Sequence, residues 1–78
     1  MYFTDKQINE IIRKLCGDPA DIDKLRAFIA LNQHKLDFYT KNPLYLGNSR
    51  ADKEKYHADQ LDSYKRMIQI ANEYLNEL

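Results

Sequence analysis

The sequence predicts an all-α protein, a short N-terminal helix followed by a long antiparallel helical hairpin, with helices at about 5–16, 19–41 and 50–77 in a single domain spanning 1–78. Three observations carry this. Apolar residues recur at helical spacing in three separate segments, each segment has a capping residue at its start, and only two glycines and two prolines in 78 residues leave few places to turn.

In the first helix Thr4 is the N-cap candidate, with Gln7 three residues on to complete a capping box and Phe3 placed to meet Ile8 across the first turn. Ile8, Ile11, Ile12 and Leu15 follow at i, i+3, i+4 and i+7, so one stripe is apolar. Gly17 stops the helix because it reaches positive φ without a steric penalty.

The second helix is expected to start with Asp18 as N-cap and Pro19 at the first helical position, where no donor is needed. Asp21 and Asp23 would lie near the positive end of its dipole. It ends at Asn42-Pro43, since the residue before proline is pushed out of the helical region. It has two apolar faces, one from Ile22, Leu25, Phe28, Ile29, Leu36 and Tyr39, the other from Ala20, Ala27, Leu31 and Phe38. An amphipathic helix on a two-layer surface needs one such face, so this helix is either central in its own fold or shared with another molecule.

Residues 41–50 form the one long loop and hold three apolar side chains, Leu44, Tyr45 and Leu46. Ser49 caps the third helix, with Asp52 three residues on. Along it His57, Leu61, Tyr64, Ile68, Ala71, Leu75 and Leu78 alternate in steps of three and four, the spacing of a coiled-coil seam, and Tyr56, Met67, Ile70 and Tyr74 widen that seam. At 1.5 Å per residue the three helices would be roughly 18, 33 and 42 Å long. The first can cover only about half of the hairpin, which leaves Leu31 and Phe38 with Met67, Ile70 and Tyr74 as an apolar surplus. Either the first helix or the loop folds back over them, or they form a self-association or partner surface, and the second reading is favoured because large contiguous apolar patches are rare on monomers.

Twelve basic against twelve acidic residues exclude binding of nucleic acid or anionic membrane by bulk charge. Charge is instead segregated. Residues 41–56 carry a surplus of +2, from Lys41, Arg50, Lys53 and Lys55 against Asp52 and Glu54, and residues 57–78 a deficit of 2. A lone cysteine, Cys16, cannot form an intramolecular disulfide, and no Cys/His metal framework is present, so a cytoplasmic setting, no metal and no cofactor are expected. Neither His34 with Asp37 nor His57 belongs to a motif that joins a nucleophile, a base and oxyanion donors, so no catalytic residue is expected.

The functional expectation is a non-enzymatic interaction protein of the inhibitor or adaptor type, forming a homo-oligomer and binding or blocking another macromolecule, in the first place a protein. Its contact residues would be Leu31, Phe38, Leu44, Tyr45, Leu46, Met67, Ile70 and Tyr74. The alternative is binding of a nucleotide, another phosphate ligand or a nucleic-acid backbone at the start of the third helix, where Ser49, Arg50, Lys53 and Lys41 lie near Tyr45. The loop apolar residues are open to two roles, a plug at the end of the bundle or a contact site.

Overall fold

The structure is a computed structural model, and it describes residues 3–78. It consists of three helices, α1 (Asp5–Cys16), α2 (Ile22–Lys41) and α3 (Arg50–Asn76), with α2 and α3 packed closely as an antiparallel hairpin. The all-α expectation holds, and the helix ends agree to within a residue except at the start of α2.

The caps explain the boundaries. Thr4 Oγ1 accepts from the Gln7 N–H at 3.2 Å while Gln7 Oε1 accepts from the Thr4 N–H at 2.9 Å, so the capping box satisfies two donors that would otherwise be bare. Gly17 closes α1 at φ 97°, and its N–H donates to the Arg13 carbonyl. α2 begins at Ile22, with Asp21 as N-cap in place of Asp18. Two aspartates compete for this role. Asp21 takes it because its carboxylate accepts from the Lys24 N–H at 3.0 Å while its own N–H donates to the Cys16 carbonyl at 2.8 Å. Those two bonds close residues 17–20 into a turn, so Pro19 lies outside the helix.

The core sits at one end of the hairpin. Ile8, Ile12 and Cys16 of α1 meet Leu25 and Phe28 of α2 and Met67, Ile70 and Ala71 of α3. α1 runs parallel to α3, since Asp5 is held by Arg66 in a two-pronged bridge (2.9 and 2.6 Å) and Asn9 Oδ1 accepts from the Tyr74 hydroxyl at 2.7 Å. Being 12 residues long against 20 and 27, α1 spans only the half of the hairpin away from the connecting loop. The radius of gyration, 13.7 Å, exceeds the roughly 11.5 Å of a compact chain of this length, as extents of 43 × 23 × 17 Å require.

Two expectations are corrected in α3. Met67 and Ile70, counted with the apolar surplus, are 7% and 3% exposed, because α1 lies directly over them. The most buried row is Gln60, Ser63, Met67, Ile70 and Ala71, which shares Ala71 with the apolar seam and Met67 and Ile70 with the residues that widen it. Leu61, Tyr64, Ile68 and Leu75 are half-buried at its side and Leu78 is exposed. From Gln60 to Ile70 the buried row also alternates in steps of three and four, but its loop-side members, Gln60 and Ser63, are polar, so a count of apolar residues misses them.

Candidate interaction surface

Most apolar side chains left outside the core fall into two areas, with Ile22 and Leu78 apart from both. The first is the outer face of α2 beside the end of α1. Leu31 is 52% exposed, and with Leu15, Ala27 and Lys24 it walls a shallow groove of about 300 Å³ floored by Cys16 and Phe28. Cys16 is nearly inaccessible, and burial pushes its thiol pKa up against the smaller opposite effect of the Lys24 charge. It fits the description of a small core side chain rather than a reactive thiol.

The second area is the loop end of the hairpin, beyond the reach of α1. Phe38 is 50% exposed, its ring edge-on to Tyr39 at 5.1 Å, and Tyr39 in turn stacks on Tyr64 at 5.9 Å. That stack joins α2 to α3 and leaves Phe38 turned outward. Leu44, Tyr45 and Leu46 are also exposed, and Tyr45 rests its ring on His57 at 5.1 Å with a tilt of 58°. Of the eight expected contact residues, Leu31, Phe38, Leu44, Tyr45 and Leu46 are therefore on the surface. Tyr74 is half-buried with its hydroxyl committed to Asn9, and Met67 and Ile70 are internal.

Tyr45 is half exposed, so emptying the position removes about half the buried area of a core tyrosine. Tyr45→Ala is expected to lower stability by no more than about 2 kcal/mol, below the roughly 3–5 kcal/mol of a buried aromatic truncation. A urea titration of the two proteins measures this, and a loss of several kcal/mol would assign the loop the role of plug.

The start of α3 is less free than its sequence implies. The Ser49 hydroxyl accepts from the Asp52 N–H at 3.1 Å, and Arg50 Nε donates to Glu54 at 3.1 Å across one turn. Tyr45, Arg50 and Lys53 do converge, lining with Glu54 a depression of about 380 Å³. Lys41 sits in the last turn of α2 and is not among its lining residues.

A polar cleft of about 360 Å³ between α1 and α3 has no counterpart in the sequence reading; Asp5, Asn9, Arg13, Arg66, Glu73 and Tyr74 are among the residues that line it. The hydrogen bond from Arg66 holds the Asp5 carboxyl below its usual pKa, against a smaller opposing effect of desolvation. Its partners are 61 and 65 residues apart in sequence, and no local spacing marks them. Among the described residues no group of three or more His, Cys, Asp or Glu side chains is placed to hold a metal ion, and no helix is long and apolar enough to cross a membrane.

No protein-family model matches the chain, and no curated protein or solved structure matches it significantly.

Proposed function

We propose that this chain is a small non-enzymatic interaction protein that self-associates and occupies a surface on another macromolecule. The observation that supports this is the exposed apolar side chains of Leu31, Phe38, Leu44, Tyr45 and Leu46, which run along α2 and round the loop end. Single exposed apolar residues are ordinary on any surface, but a series of five on one helix and its adjoining loop is what interfaces carry. At the loop end the hairpin has two helices and no third, and a second hairpin set against Phe38 and the loop would complete a four-helix arrangement there.

Light scattering over a concentration series tests the self-association, with Leu31→Asp/Phe38→Asp as the disrupting variant. A second reading, a phosphate or nucleotide site, is favoured by the convergence of Tyr45, Arg50 and Lys53. Thermal-shift screening against nucleotides and short oligonucleotides separates the two, because phosphate contacts weaken steeply with ionic strength and an apolar interface does not. A ligand that raises the melting temperature at low salt only would favour the second reading.

A further inference from the structure

We infer that the groove between the end of α1 and the first half of α2 takes an amphipathic helix with acidic flanks, supplied by another protein. This rests on the interaction reading above and names the chemistry of the partner. The groove has the composition that helix recognition uses: apolar walls from Leu15, Ala27 and Leu31 and an apolar floor from Phe28.

Lys24 is the charged side chain that lines the groove, further lysines lie beside it, and Asp21, at the start of α2, is the acid near its Cys16 floor. At 100° per residue Lys24 and Lys35 project within about 40° of Leu31 round α2, whereas the nearest acids of that helix, Asp23 and Asp37, point about 80° and 120° away. On α1, Lys14 adjoins Leu15; the shallow depression that Lys14 lines along that helix, with Phe3, Gln7 and Ile11, contains one acid, Glu10. The ion pairs among the described residues are Arg50–Glu54 and Arg66–Asp5, so Lys14, Lys24 and Lys35 keep their charge for a partner.

That charge selects between occupants. Two copies meeting groove to groove would set Lys24 and Lys35 against their own kind, which like-charge juxtaposition penalises. The acidic half of α3 in a second copy offers no matching knobs, because Met67, Ile70 and Ala71 are turned into its own core. A helix with a leucine stripe between glutamates satisfies walls and rim together. Leu31 belongs to both surfaces, so the peptide and a second copy compete at that end of the groove, whereas Lys24 lies roughly 21 Å from Phe38 along α2 and stays clear of the self-association face.

The probe is a fluorescein-labelled peptide of four helical turns with leucines at i, i+3, i+7 and i+10 flanked by glutamates, read by fluorescence anisotropy. A second peptide carries lysines in place of the glutamates. The acidic peptide should bind the wild type about tenfold more tightly than the lysine peptide, Lys14→Glu/Lys24→Glu should reverse that preference, and Leu31→Asp should abolish binding of both. Both lysines are exposed, and circular dichroism verifies that the charge-reversed protein keeps its helicity; if it does not, Lys14→Gln/Lys24→Gln should remove the preference without reversing it. Equal binding of the two peptides, a preference for the lysine peptide, no binding of either, or a preference unchanged by the lysine variants would overturn the inference. Failure of the proposed function appears separately, as a wild type that stays monomeric in light scattering. A protein that assembles at high concentration but, diluted to its monomer, still ignores the acidic peptide would retain the function and lose the groove.

Discussion

Leu25→Ala is expected to destabilise the fold by about 3 kcal/mol, within the range of roughly 2–5 kcal/mol for emptying a buried leucine site. Leu25 is wholly buried at the point where all three helices meet, in a core whose fully buried large side chains are Ile8, Ile12, Leu25 and Cys16. So small a core has little room to collapse around a missing isobutyl group. A domain of this size is stabilised by only about 4–12 kcal/mol in all, so one substitution would remove a quarter to three quarters of it. The expected result is a urea midpoint lowered without a change in slope. A loss under about 1 kcal/mol, the ordinary range of a surface site, would contradict the placement of α1 against α2.

Leu31→Asp/Phe38→Asp should have the opposite profile. Both side chains are half in water, so their carboxylate replacements remain hydrated and the far-ultraviolet helical signal should persist. What should change is mass: at tens of micromolar the wild type should scatter as an assembly and the variant as a 9.3 kDa monomer. Two carboxylates buried without partners at an interface would each cost several kcal/mol, and tenfold in affinity corresponds to about 1.4 kcal/mol, so the dissociation constant should rise by at least a hundredfold. A wild type that is monomeric at high micromolar concentration would refute self-association.

The helix plan was legible because its signals are local. Thr4 with Gln7, and Ser49 with Asp52, lie within one turn of each other and speak for themselves. The start of α2 was misplaced because Asp18-Pro19 and Asp21 are both sound capping signals three residues apart; the choice depends on the Cys16 carbonyl, which only the folded turn presents. In α3 the exposed and internal residues were confused at Met67 and Ile70 for a different reason. Apolar spacing reports that a stripe is buried, but which neighbour buries it depends on where α1 lies, and α1 is placed by the Asp5–Arg66 and Asn9–Tyr74 contacts, more than sixty residues apart in sequence. Exposure of Leu31 and Phe38 agrees with the mismatch of helix lengths, a quantity that the sequence does contain, whereas the loop residues were open to two roles. Leu15 was assigned to the α1 core stripe, and nothing in its spacing says that α2 leaves it uncovered.

That mismatch of lengths also divides the molecule by how readily it opens. Where α1 lies on the hairpin, the interior is hydrocarbon. Towards the loop it turns polar, with Asn32, Gln60 and Ser63 buried, and Asn32 and Ser63 bonded back to carbonyls of their own helices, Phe28 and Asp59. Among the described residues Gln60 Oε1 and His57 Nδ1 find no hydrogen-bond partner, which makes separation of the two helices of the hairpin there cheaper than its burial suggests. The chain is therefore built to unzip from the loop while its other end stays clasped, a graded opening rather than a single event. In native-state hydrogen exchange the amides of residues 54–60 should exchange through local opening, well ahead of those of residues 67–71, which should wait for global unfolding. A uniform rate along α3 would mean that the two halves open as one.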